Sequence, residues 1–319
     1  MKVIEHILKK KNPKDLMFSY EIVPPPRGRS ISDIVEIVES LVPYRPAWID
    51  VTSHSASAYY KEKADGTVER KIFKKRPGTI GICGVIQNRF KIDTVTHLLT
   101  QGFTKEETED ALIELNFLGI QNVLALRGDG LNYEKVISKN RSINPYASDL
   151  VLQIANINKG IYLEEISEAR PYDFCIGVAG YPEKHFEAPN LKMDIKNLKT
   201  KVDNGANYIA TQMFFDNKHY FNFVKMCRDE GITVPIVPGL KILSNPRQLS
   251  TIPSNFYINL PDELVESVNS DPKNIKSIGV EWALKQAEEL LEFGVPTLHF
   301  YIMNDTSSVL QVVKKLSTK

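Results

Sequence analysis

The sequence predicts an α/β fold, a (β/α)₈ TIM barrel that runs as a single domain over residues 1–319. Short apolar, β-branched runs alternate with longer segments of helical period about eight times along the chain. Several of the helical segments close on glycine, as helix C-termini often do. The rival, a doubly wound nucleotide-binding sheet, would show GxGxxG or GxxxxGK[ST], and neither occurs.

The elements follow in order. MKVIEHILKKKNPKD carries Val3, Ile4, Ile7 and Leu8 at helical spacing, a short amphipathic helix packed on the body. It lacks the apolar stretch and cleavage site of a signal peptide. MFSYEIV (17–23) is the first strand, stopped by Pro24 to Pro26, and ISDIVEIVESLV is the first barrel helix. WIDVT (48–52) is the second strand. An insertion rich in Lys and Arg follows around 60–93, where TIGICGVI (79–86) competes with TVTHLLT (94–100) as the third strand. KEETEDALIELNFLG reads as a helix before the strand NVLALR (122–127), DIKNLKTKVDNG as one between the strands FCIGVAG (174–180) and NYIATQMFF (207–215), and KHYFNFVKMCRDEG as one between the latter and VPIVPGL (234–240). Residues 245–272, with four prolines, read as a loop with short helices. A long helix over 275–293 and the strand TLHFYIM (297–303) complete the pattern.

Forty basic against 39 acidic side chains leave a formal charge of +1, which offers no electrostatic case for a nucleic-acid partner. No run is long enough to span a membrane. Cys83, Cys175 and Cys227 are far apart and odd in number, so the expected compartment is the reducing cytoplasm. No HxH, HExxH or GxSxG occurs, and no metal site is expected.

In such a barrel the chemistry gathers where strands end, and polar residues recur there: Glu21, Thr52, His97, Arg127–Gly128–Asp129, Tyr181, His185, Gln212 and Asn304. Period-two alternation puts Phe18, Tyr20 and Ile22 on one face of the first strand and Ser19, Glu21 and Val23 on the other. The bulky set faces the helices, so Glu21 points into the barrel mouth. Two readings of it stay open: a poorly hydrated general acid with a raised pKa, or a buried Glu paired with Arg or Lys.

FSYEIVPPP, NVLALRGD (122–129), PYASDL (145–150), GVAGYPEKHFEAPN (177–190), GANYIATQMFFD (205–216), PIVPGLKIL (235–243) and LHFYIMN (298–304) occur in order. Together they resemble the catalytic domain of methylenetetrahydrofolate reductase, from about Phe18 to Asn304. The resemblance implies a FAD-containing barrel that reduces 5,10-methylenetetrahydrofolate to 5-methyltetrahydrofolate. NADH or NADPH is the co-substrate, the exchange is ping-pong through the flavin, and the product supplies methyl groups for methionine synthesis. It implies Glu21 as the acid that opens the folate ring and Asp129 as the carboxylate beside flavin and pterin. Gln212 and Gln248 would bind the folate together with Glu21 and Asp129. The implied flavin set is Thr52, His97, Arg127, Gly128, Asp129, Ala147, Tyr181, His185, Ala188, Asp194, Asn197 and Lys201, with Arg127, His185 and Lys201 suited to the pyrophosphate. A homo-oligomer is expected, since small members of the family self-associate.

The chain also departs from the family pattern. VTSHSASAYY replaces a Tyr-Gly-Ala stretch at Ser53 and Ser55, Asp305 replaces a basic residue, and Thr200 stands where some members have Arg. No C-terminal regulatory domain is expected. The competing readings are a flavin barrel resembling proline dehydrogenase, a Schiff-base lyase with Lys241 as nucleophile, and a folate-binding protein without activity.

Overall fold

The computed structural model describes residues 1–10, 15–53, 57–73, 76–128, 137, 140–303 and 305–318. The strands are β1 (Phe18–Ile22), β2 (Trp48–Val51), β3 (Ser57–Glu62), β4 (Val68–Phe73), β5 (Asp93–Leu99) and β6 (Asn122–Leu126). After them come β7 (Cys175–Gly180), β8 (Tyr208–Thr211), β9 (Ile236–Val237), β10 (Gly239–Leu240) and β11 (Leu298–Met303). Nine of these form one parallel sheet in the order β10-β11-β1-β2-β5-β6-β7-β8-β9. The sheet closes on itself because β9 and β10 are two pieces of one barrel strand, parted at Pro238. Proline has no N–H to give a ladder, so the strand pairs with β8 before it and β11 after it. The (β/α)₈ expectation therefore holds.

The helices are α1 (Val3–Lys9), α2 (Ile31–Leu41), α3 (Thr79–Phe90), α4 (Lys105–Phe117), α5 (Ala147–Ile157) and α6 (Leu191–Asp203). They continue with α7 (Asn217–Asp229), α8 (Gln248–Phe256), α9 (Asp262–Ser270), α10 (Ile275–Phe293) and α11 (Ser307–Ser317). Their starts follow local chemistry. At α4, Thr104 Oγ1 accepts the Glu107 N–H at 3.1 Å and Glu107 Oε2 accepts the Thr104 N–H at 2.9 Å, a reciprocal cap.

TIGICGVI is a helix. Thr79, Ile82, Cys83 and Ile86 are buried, the i, i+3, i+4, i+7 set of α3. The alternation of Ile80 with Ile82 imitates a strand only over a few residues. Between β2 and α3, the Lys- and Arg-rich stretch forms the antiparallel hairpin β3–β4, which the apolar pattern does not announce. In α1, Val3 is buried and Ile4 and Ile7 pack inward, but Leu8 is exposed, so the predicted stripe is one residue too wide.

Two layers of core result. Phe18, Tyr20, Ile22, Ile49, Val51, Leu298 and Phe300 face the helices in the main cluster. Inside the barrel, Trp48, Val95, Leu124, Cys175, Tyr208 and Val237 pack with Val3 of α1 and fill the N-terminal end. Above that apolar plug the inward positions turn polar: Ser19 and Glu21 on β1, Asp50 on β2, His97 on β5, and His299 and Tyr301 on β11. Among the described residues no helix is long and apolar enough to cross a membrane.

Candidate active site

The alternation that directs Glu21 inward also applies to three other strands, and together they assemble a buried group of two carboxylates and two imidazoles. Register sets Glu21 beside Asp50 on one side and beside Tyr301 on the other. Glu21 Oε2 lies 3.6 Å from His97 Nε2 and 3.8 Å from His299 Nε2. Asp50 Oδ1 lies 3.5 Å from the same His97 nitrogen, and its Oδ2 is 3.8 Å from His299 Nδ1. The Asp50, His97 and His299 side chains are each 3% exposed, whereas Glu21 keeps 13%. Thr52 Oγ1 donates to Glu21 Oε1 at 2.8 Å, and Ser19 Oγ pairs with His299 Nδ1 at 2.9 Å.

This environment corrects the expected pKa. Burial pushes the Glu21 carboxyl up, but the His97 charge, the bond and charge of His299, and the Thr52 hydroxyl together hold it below the usual carboxylate range. Burial pushes His97 down, and Glu21 with Asp50 more than reverses that, so His97 lies above the ordinary histidine value. The partners of Glu21 are imidazoles, not the Arg or Lys expected of a buried structural pair. Among the described residues neither ring nitrogen of His97 has a hydrogen-bond partner, nor has Asp50 Oδ2. Among the described residues no group of acids, histidines and cysteines is arranged to hold a metal ion.

Tyr301 and Lys241 form the adjoining wall. The Tyr301 hydroxyl donates to the Thr211 carbonyl at 2.6 Å, and Lys241 Nζ donates to the Tyr301 carbonyl at 2.8 Å. Burial brings the Lys241 amine down to about 8, against the opposing charges of Asp305 and Glu21.

The other predicted residues that the structure describes follow β6, β7, β8 and β10 in the chain. Arg127 follows β6, pairs with Glu187 and lies over the Tyr146 ring. Gly128 has φ +100°, a conformation that favours glycine; Asp129 and Asn304 lie outside the described residues. Tyr181 and His185 meet edge to face at 4.8 Å, and the His185 N–H donates to Asp194 Oδ2 at 2.8 Å. Lys201 Nζ donates to the Ala179 carbonyl at 3.1 Å, and burial lowers its pKa against the pull of Asp194. Burial also lowers His185, with Lys201 and Arg127 acting in the same direction, so these cations share one neighbourhood. Ala147 opens α5 and Ala188 is buried in the β7–α6 loop, while Asn197 is exposed on α6. Gln212 lies one residue beyond β8, its Oε1 taken by the Met213 N–H. Gln248 Oε1 accepts from the Ser244 and Asn245 N–H groups, which leaves its NH₂ for a ligand. Of the departing positions, Asp305 caps α11 through Ser307, and exposed Thr200 bonds its own helix.

Asp50 and His299 were missed as site residues. The signal was present, because Asp50 alternates with Ile49 and Val51, and His299 with Leu298 and Phe300, as Glu21 does with its neighbours.

The family model described as methylenetetrahydrofolate reductase matches residues 4–317. A Schizosaccharomyces pombe protein named methylenetetrahydrofolate reductase 1 is 30% identical over 99% of this chain and 48% of its own length. The chain thus spans about half the length of that relative. A Buchnera aphidicola protein named 5,10-methylenetetrahydrofolate reductase is 30% identical over 94% of this chain and 91% of its own. Among solved structures, an uncharacterized Clostridium thermocellum protein that binds two copies of 5-methyl-5,6,7,8-tetrahydrofolic acid superposes with a TM-score of 0.62. It is 14% identical and covers 99% of this chain and 100% of its own, a likeness of fold.

Proposed function

The chain belongs to the methylenetetrahydrofolate reductase family, and from that premise we propose that it reduces 5,10-methylenetetrahydrofolate to 5-methyltetrahydrofolate. The reductant is NADH or NADPH, the cofactor is FAD, and the two half-reactions alternate. The enzyme acts in the cytoplasm as a homo-oligomer and furnishes methyl groups for methionine synthesis. The observation that carries the reading is Glu21, the most exposed member of a buried acid–imidazole group at the barrel mouth.

The donor set suits a flavin dinucleotide. Arg127 and Lys201 supply cationic N–H groups beside the His185 imidazole, and the desolvated Lys201 ammonium gains from an anionic neighbour. Thr52, His97, Gly128, Asp129, Ala147, Tyr181, Ala188, Asp194 and Asn197 would complete the binding set. When bound, FAD supplies a two-electron relay between the nicotinamide nucleotide and the folate.

The protein's own groups handle the proton. Glu21 gives it to N10 as the bond from N10 to the bridging carbon breaks, the electron pair staying on N10. The methylene then remains on N5 as an iminium cation, which the Asp129 carboxylate stabilises. Gln212 and Gln248 orient the folate through their NH₂ groups, their oxygens being engaged by the chain itself.

Anaerobic titration tests the reading. The purified protein should show flavin absorbance that NADH or NADPH bleaches and that methylenetetrahydrofolate restores. Absence of flavin, or bleaching by neither nucleotide, would overturn it. The depressed Lys241 amine is what a Schiff-base lyase would use, so borohydride trapping of a carbonyl compound on Lys241 is the outcome that would favour that chemistry instead.

A further inference from the structure

A difficulty remains in the proton step. Thr52 donates to Glu21 and two imidazoles face its other oxygen, so Glu21 is held as an acceptor. A group held that way does not carry its own proton into the reaction.

We infer that His97 stores the proton Glu21 delivers, and that Asp50 is the positioning residue that keeps it there; the inference rests on the reductase reading above. The geometry separates the two imidazoles. His299 is engaged by Ser19 at Nδ1 and donates its backbone N–H to the Pro238 carbonyl. Among the described residues His97 has no hydrogen-bond partner at either ring nitrogen, and its Nε2 stands 3.6 Å from Glu21 and 3.5 Å from Asp50. It sits between two carboxylates, one of which reaches the barrel mouth while the other is 3% exposed. Asp50 thus gives His97 a second carboxylate neighbour besides Glu21. About 0.7 Å of closure brings His97 Nε2 and Glu21 Oε2 to ordinary bonding distance.

The proton count balances. The Nε2–H of His97 passes to Glu21 Oε2, and Glu21 passes a proton to N10 as the carbon–N10 bond breaks. His97 is left neutral, and one solvent proton returns through Glu21 after product leaves. The other titratable groups facing the pair are His299 and Tyr301 of β11, Tyr208 of β8, Cys83 of α3, and Lys241 after β10. Burial holds the tyrosines and Cys83 protonated, so none of them accepts the proton near neutrality.

The test is an NMR titration of the FAD-loaded protein labelled at its six histidines, with His97→Gln used to assign the signal. His97 should titrate above about 6.5, the ordinary value, and Asp50→Asn should bring it down by about one pH unit. In the same variant the alkaline arm of folate reduction should move down by that unit, about a tenfold loss on that side. A merely structural Asp50 would lower the rate at every pH and leave the arm in place, which would overturn the inference. Should Asp50→Asn not fold, the wild-type titration decides alone: His97 at or below the ordinary value refutes the store. Failure of the reductase reading shows separately, as wild-type flavin that neither nucleotide bleaches.

Discussion

Replacing Glu21 with Gln separates proton delivery from structure. The amide keeps the shape of the side chain and an oxygen to accept the Thr52 hydroxyl, now 2.8 Å from Oε1. It removes a negative charge 3.6 Å from His97 Nε2, a gross attraction of about 4–5 kcal/mol at an effective dielectric of about 20. Desolvation of both charges offsets most of that, so the variant's folding stability should stay within about 1 kcal/mol of wild type. Catalysis should respond far more. Loss of a positioned general acid costs about 10²- to 10⁴-fold, or roughly 3–5 kcal/mol of barrier. Stopped-flow absorbance under anaerobic conditions measures this, with reduced enzyme mixed against methylenetetrahydrofolate. Reduction by NADH or NADPH should persist while reoxidation by folate collapses, and circular dichroism should show a cooperative melt of a folded protein. Folate turnover within threefold of wild type would refute the assignment and leave Glu21 a structural residue.

Three further outcomes follow from the same geometry. Glu21 lies below its ordinary value of 4.5 and His97 above its 6.5. Their contribution to stability is therefore fully present between those pH values, lost as pH falls through the folded Glu21 pKa, and lost as pH rises through the folded His97 pKa. Melting temperature against pH should show both arms in wild type, and Glu21→Gln should flatten them. Gly239→Ala would set a Cβ 2.4 Å from the Thr211 carbonyl and 2.5 Å from the Tyr301 ring, so a loss of about 1–3 kcal/mol is expected, and an unchanged thermal melt would count against the packing described. Lys201→Met should weaken FAD binding by about 10- to 150-fold, the worth of a charge-assisted bond; flavin fluorescence titration would read it, and wild-type affinity would remove Lys201 from the pyrophosphate site.

The eight-strand pattern was legible because buried strands are short apolar runs, and most bounds agree closely with the observed elements. The direction of Glu21 was legible too, since its neighbours Tyr20 and Ile22 must face the helices. Its protonation was not. That depends on His97 and His299, delivered by strands far away in the chain, and one strand's alternation says nothing about what faces it across a barrel. TIGICGVI was ambiguous because a few apolar residues fit both periods, and only the buried set 79, 82, 83 and 86 decides for a helix. The β3–β4 hairpin escaped because charged residues break up its short apolar runs, Lys61 and Glu62 in SAYYKE and Glu69, Arg70 and Lys71 in VERKIF.

Pro238 links the barrel's closure to its chemistry. A proline within a strand forfeits a ladder bond, and here the following residue makes its bond elsewhere, the Gly239 N–H donating to Thr211 Oγ1 at 3.0 Å. The strand is thereby turned from β8 towards β11. Two consequences reach the site. The Pro238 carbonyl accepts the His299 N–H at 3.1 Å, which anchors that histidine beside Glu21 and Asp50. Gly239, having no Cβ, admits the Tyr301 ring, whose hydroxyl reaches the Thr211 carbonyl and whose own carbonyl holds Lys241. A regular residue pair at 238–239 would complete the strand ladder and exclude Tyr301. The interruption in VPIVPGL therefore serves the site: regular pairing is given up where the barrel needs room for its polar end.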